Sequence, residues 1–186
     1  MEGLSARKLK FAVWGVIGIL LGVGGCATGK WGYINADYKM AIQPQFEDAT
    51  PFTGGLAAVR IGEKWAYIDK KGKIAIEPQF DVAWRFRDGL ASVMTGSKWG
   101  FIDPKGKFVI QPQFESAGSF DEGLAPAETG GKWGYIDKTG KFVIQPQFQY
   151  AGRFSEGLAE VKTDGKWGFI DKTGQMAVKA EYTFVY

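Results

Sequence analysis

The chain has 186 residues, enough for one domain or two small ones. Its 27 glycines, 15% aromatic content and lack of histidine favour short strands and tight turns over long helices, and they exclude histidine-based acid–base or metal chemistry. The net charge of +3 owes much to Arg7, Lys8 and Lys10, opposed only by Glu2 in residues 1–25; beyond them 20 basic side chains face 19 acidic ones, which excludes a general attraction to nucleic acid.

In chain order, the three basic residues are followed by an apolar stretch from Phe11 to Val23, interrupted only by glycines. This is shorter than the roughly 20 residues that a spanning helix needs. A basic start, a short apolar core and small residues before a cut site predict a secretory signal over residues 1–25. Val23-Gly24-Gly25-Cys26 resembles the bacterial lipobox. That resemblance implies cleavage between Gly25 and Cys26, acylation of the Cys26 thiol by diacylglycerol, and often of the new amine. One acyl chain anchors marginally, whereas two or three anchor stably. Cys26 is the single cysteine, so the rest of the chain folds without an internal disulfide. Residues 26–29 then form a short tether beside the membrane, and Ala27 after the cysteine favours the outer membrane of a Gram-negative cell.

From residue 30 onward the sequence repeats. Trp31, Trp65, Trp99, Trp133 and Trp167 stand at one fixed period with no insertion, giving copies 30–63, 64–97, 98–131 and 132–165 and a truncated copy 166–186. Helical repeats of similar period are excluded by Pro44, Pro78, Pro112 and Pro146 near the middle of the copies, and by glycines around every apolar segment. Trp133-Gly134-Tyr135-Ile136-Asp137 alternates as a strand. Asp137-Lys138-Thr139-Gly140 is a hairpin turn, and Lys141 to Gln145 a return strand that Pro146 is expected to stop. Ala151, Phe154 and Leu158 have the spacing of one helical turn, and Gly157 to Val161 is a third strand.

Each copy is therefore predicted to be a three-stranded antiparallel meander with a short helical turn. Both faces of its strands are apolar, so copies must pack on one another. The end copies differ: Asn35-Ala36-Asp37-Tyr38 replaces Asp-x-x-Gly, and Ala180-Glu181-Tyr182 replaces Pro-Gln-Phe. With no spare strand at either end, the expected fold is all-β, an open twisted repeat array, with a small closed propeller-like ring as the alternative.

The recurring Lys-Trp-Gly-Tyr/Phe-Ile-Asp, Gly-Lys, Ile-x-Pro-Gln-Phe and Gly-Leu-Ala segments resemble the WG-repeat family over residues 30–186, with Ala66 as a departure at the Gly position. The resemblance implies a β-rich interaction module, often exported or lipid-anchored, with no established catalytic residues.

Candidate chemistry is sparse. Asp69, Asp103, Asp137 and Asp171 recur at turn starts, where a carboxylate caps backbone N–H groups, rather than as a glycosidase pair or a calcium loop. Thr129-Gly130-Gly131-Lys132 lacks the full phosphate-loop pattern. Lysines at 64, 98, 132 and 166, and at 73, 107 and 141, form stripes that suit solvated hairpin edges. Trp84, Arg85 and Arg87 are the least repetitive residues: Trp84 stands where later copies have Gly118 and Gly152, and a Trp beside two Arg has the chemistry of an interface hot spot or a sugar stack. The expected function is non-enzymatic: a lipid-anchored envelope protein that binds or scaffolds a protein partner without a cofactor or metal. A glycan or peptidoglycan binder is the alternative, and a hydrolase comes third because no free carboxylate pair is evident.

Overall fold

The repetition in sequence becomes repetition of one small antiparallel sheet. The computed structural model describes residues 19–23 and 29–182; the cleavage and lipidation positions Gly25 and Cys26 lie outside the described residues. Among the described residues there is no helix, and no sheet closes into a barrel. The chain divides into two compact units, residues 1–80 and 81–186.

The first unit holds two sheets. One is β1 (Ile19–Val23), β2 (Lys30–Ile34) and β3 (Met40–Phe46); the other is β4 (Asp48–Ala49), β5 (Leu56–Ile61), β6 (Lys64–Asp69) and β7 (Ile74–Phe80). The second unit holds three. They are β8 (Val82–Ala83), β9 (Ala91–Thr95), β10 (Lys98–Ile102) and β11 (Phe108–Phe114); β12 (Ser116–Ala117), β13 (Ala125–Thr129), β14 (Lys132–Ile136) and β15 (Phe142–Phe148); and β16 (Tyr150–Ala151), β17 (Leu158–Thr163), β18 (Lys166–Asp171) and β19 (Met176–Tyr182). All neighbours are antiparallel and in chain order.

The all-β repeat array expected from the sequence is thus the fold, with three differences of detail. First, each sheet from β4 onward crosses a copy boundary, taking a two-residue strand and the third strand from one copy and the Trp-bearing and return strands from the next, as β12 and β13 pair on to β14 and β15, so one copy is not a meander by itself; and the segment after the two-residue strand is no helical turn. Residues 152–158 instead make a tight loop closed by a Ser155–Leu158 bridge, with Glu156 and Gly157 at φ of 54° and 80°. Left-handed residues in succession cannot propagate a right-handed helix. Second, the return strand is not stopped by its proline. Strand β15 continues past Pro146 to Phe148 through a bulge, because Trp133 pairs with Phe148 and Tyr135 with Ile144, two residues facing four. The bulge accommodates the missing N–H of Pro146. It also accounts for the glycine that follows the repeat tryptophan in every copy but the one with Ala66: a Cβ on Gly134 would lie 2.5 Å from the Ile144 carbonyl oxygen and 2.8 Å from the Pro146 nitrogen. Third, the first sheet has a neighbour for β2 that the sequence did not suggest: β1, inside the apolar stretch, pairs from Ile19–Ile34 to Val23–Lys30.

Successive sheets within each unit bury both faces of their central strands, as the apolar pattern required. Tyr33, Tyr67, Phe101 and Tyr135 are fully buried. A phenylalanine from the following loop packs on the aromatic of the strand before it, with ring centroids 4.7 Å apart for Tyr33–Phe52 and 4.8 Å for both Phe101–Phe120 and Tyr135–Phe154. Hairpin glycines complete the stacking. Gly72 sits against Ile42, Gly140 against Ile110 and Gly174 against Ile144, all at positive φ. Any side chain there would push into the isoleucine as well as strain the turn. At about 25 cal/mol per Å² of apolar surface, these shared aromatic and isoleucine contacts are the main cohesive term.

Candidate binding surface

Two kinds of turn decorate the sheets. The hairpins after β6, β10, β14 and β18 are uniform. Asp69, Asp103, Asp137 and Asp171 each accept the backbone N–H groups two and four residues on, at 2.8–3.2 Å. Thr139 and Thr173 add hydroxyl bonds of 2.6 Å. These bonds hold the Asp137 and Asp171 carboxyls below the usual range, the threonine hydroxyl first and the backbone donors after it. The recurring aspartates are therefore occupied in turn formation. Asn35 makes the same two bonds in the first hairpin with its amide oxygen.

The tight turns between the long strands are equally self-contained. Gly131 of the phosphate-loop-like segment donates to the Glu115 carboxylate at 3.0 Å, as Gly62 does to Glu47, Gly96 to Asp81 and Gly165 to the Gln149 side-chain oxygen. The backbone donor that a phosphate would need is taken by the protein's own acid. Among the described residues no group of three or more metal-ligating side chains converges.

The loops that follow the short strands β8, β12 and β16 differ from one another, and they stand side by side. Arg87 donates from Nε to the Asp121 carboxylate at 2.9 Å, with a second bond from its terminal nitrogen. The Asp88 carboxylate accepts from Gly123 N–H at 2.7 Å, and Glu122 accepts from Gly157 N–H at 3.2 Å. Each bond spans 34 or 35 residues, so each joins one loop to its counterpart in the next copy. Lys138 and Lys172 reach Asp88 and Glu122 at 3.7 and 2.8 Å, tying hairpins to loops as well.

This places the three residues singled out in the sequence. Trp84 is 50% exposed. Arg85 and Arg87 are half-buried, but Arg87 turns to Asp121 and is held there, while Arg85 makes no side-chain hydrogen bond or ion pair with another described residue. Burial of the Arg85 guanidinium, then the like charges of Arg87 and Arg153, lower its pKa, with Asp121 acting in the opposite sense. Sequence reasoning missed Arg153, Asp121 and Ser119. The fixed period could have found them: Ser119 and Arg153 are the counterparts of Arg85 one and two copies later, and Asp121 is the counterpart of Arg87.

An all-β fold of short antiparallel sheets that recur with the 34-residue period of the sequence defines a repeat protein. The description "WG containing repeat" matches residues 31–65, 65–99, 99–133, 133–167 and 167–186, and the chain belongs to that family. No curated protein matches the sequence. Among solved structures, KlHsv2 with loop 6CD replaced by a Gly-Ser linker superposes with a TM-score of 0.58 at 10% identity, over 84% of this chain. The chain spans 61% of that protein's length, and the likeness is one of fold alone. A protein of unknown function from Bacteroides caccae (TM-score 0.39, 15% identity, 87% of this chain and 77% of that one) and the tricorn protease (TM-score 0.45, 17% identity, 89% and 21%) also align.

Proposed function

We propose that this protein is a non-enzymatic binding or scaffolding module of the bacterial cell envelope, anchored through an acylated Cys26. The observation that carries the binding reading is the contrast between turns. Asp69, Asp103, Asp137 and Asp171 are each engaged in their own hairpin, while the loop after β8 carries an exposed Trp84 next to Arg85 in the chain. Exposed Trp and Arg on a rigid surface are typical anchors of protein interfaces. The anchor rests on the basic, apolar and small-residue order of residues 1–26. Cleavage before Cys26 would remove β1 and free one edge of β2, a strand edge that a partner could extend.

Crosslinking in living cells, with mass identification of what is captured, tests the reading. One dominant envelope protein, absent from a Cys26→Ser control, is the expected result. No enrichment over that control would overturn it. A second reading, a glycan binder, is favoured by the exposure of Trp84; capture of peptidoglycan fragments alone would select it.

A further inference from the structure

In the second unit each sheet is covered by the one after it. Leu90, Phe101 and Ile110 share one core with Ala125, Ala127 and Ile136 of the next sheet, and Leu124, Tyr135 and Ile144 share another with Ala159, Val161 and Ile170. Their counterparts one copy on are Leu158, Phe169 and Val178. No sheet follows these among the described residues, and the three columns come to the surface together: Leu158 and Val178 are each 38% exposed, and Phe169 is half-buried. The polar ties stop at the same place. Asp88 and Glu122 each accept from a glycine N–H and pair with a lysine further along the chain, whereas their counterpart Glu156 has no side-chain partner among the described residues. Glu156 lines a groove on this face with Arg153, Glu160, Leu158 and Phe169, and none of the three charged side chains forms an ion pair with another described residue. An exposed apolar floor with a polar rim marks an interaction surface.

We propose that this face of the β16–β19 sheet is the contact between two copies of the chain related by a two-fold axis. In the earlier copies the equivalent faces accept an apolar β surface of the same repeat, so the occupant that fits here is another repeat surface. The groove is also complementary to itself. A two-fold axis sets the Arg153 guanidinium of one chain against Glu156 and Glu160 of the other, and the reciprocal pair forms at the same time. A head-to-tail contact is closed off by Tyr38. The hairpin glycines Gly140 and Gly174 lie directly on Ile110 and Ile144, but in the first hairpin their place is taken by Tyr38, which is exposed at a φ of 60°. A tyrosine has no room to lie on Val178 as Gly174 lies on Ile144. The first hairpin of one chain therefore does not extend the last sheet of another, and the pairing closes at two copies.

The contact goes beyond the partner reading at Trp84, and Trp84→Ala separates the two because it is expected to leave self-association unchanged. Sedimentation equilibrium of the full-length chain in density-matched detergent tests it. The wild type is expected to follow a monomer–dimer equilibrium between roughly 1 and 100 µM. Val178→Glu and Arg153→Glu are each expected to weaken it about tenfold or more. Both alter exposed residues, so the urea midpoint is expected to stay that of the wild type. A chain carrying Glu156→Arg and Glu160→Arg is expected to lose its own dimer and to regain one when mixed with Arg153→Glu. A wild type that stays monomeric up to roughly 100 µM, oligomers that lengthen with concentration, a Val178→Glu chain that dimerises like the wild type, or no rescue in the mixture would each overturn the proposal. So would dimers that appear only when residues 183–186 are removed, since the chain's own end would then be the occupant of the groove.

Discussion

The hairpins that follow the Trp-Gly strands and the loops that follow the short strands arise from the same copies, yet they have diverged differently. Asp69, Asp103, Asp137 and Asp171 make the same bonds at each hairpin. In the loops, the phenylalanines at 52, 86, 120 and 154 repeat, but the residues beside them do not: Trp84 becomes Gly118 and Gly152, Arg85 becomes Ser119 and Arg153, and Arg87 becomes Asp121 and Ser155. A column that never varies within one chain marks a position whose job is identical in every copy, which is folding. A column that varies on a constant backbone is free to carry what is particular to this protein.

Substitutions can break or sharpen that contrast, and the largest effect belongs to a constant column. Phe120 is fully buried against Phe101, so Phe120→Ala is expected to cost about 3–5 kcal/mol in urea unfolding. Next comes Asp121, which varies in sequence but has become structural through Arg87. Its side chain is 15% exposed and Arg87's is 27%. Asp121→Ala leaves that guanidinium unpaired and is expected to cost about 1–3 kcal/mol, with Arg87→Leu in the same background recovering part of the loss in a double-mutant cycle.

Acid should then loosen the constant hairpins collectively. Asp137 and Asp171 have carboxyl pKa values depressed in the fold, and so do Glu47 through Lys30 and Glu122 through Lys172. A depressed carboxyl stabilises the fold above its unfolded pKa and loses that contribution as pH falls through the folded value. The urea midpoint is therefore expected to hold from pH 7 to about 5 and to fall below about 4. At the other extreme, burial raises Tyr33, Tyr67 and Tyr135, so their contribution is complete below about pH 10 and is lost as pH rises towards their folded values. The smallest effect is expected in the varied column. Arg85→Gln, Ser119→Ala and Arg153→Gln should each shift stability by no more than about 0.5 kcal/mol, separating a role in binding from a role in folding.

The sequence carried the fold unevenly. The fixed spacing of Trp31, Trp65, Trp99, Trp133 and Trp167 and the Asp-x-x-Gly turns announced an all-β repeat because both are local signals. The bulge at Pro146 was not legible, since a proline reads as a strand end unless the partner Gly134 is known to lie opposite it. Likewise, the spacing of Ala151, Phe154 and Leu158 imitates a helical turn, and only the left-handed backbone at Glu156 and Gly157 separates the two. Of the binding surface, Trp84, Arg85 and Arg87 were visible as departures from the repeat. The capture of Arg87 by Asp121 depends on loops from different copies being adjacent. No single copy reveals that adjacency.

The central claim, that the varied loops bind while the constant columns fold, is tested most directly by comparing partner capture in cells between wild type and Trp84→Ala/Arg85→Gln at matched levels of folded protein. Loss of the dominant captured species with an unchanged unfolding midpoint is the predicted result. Undiminished capture by the double variant would contradict the claim and move the binding surface elsewhere on the repeats.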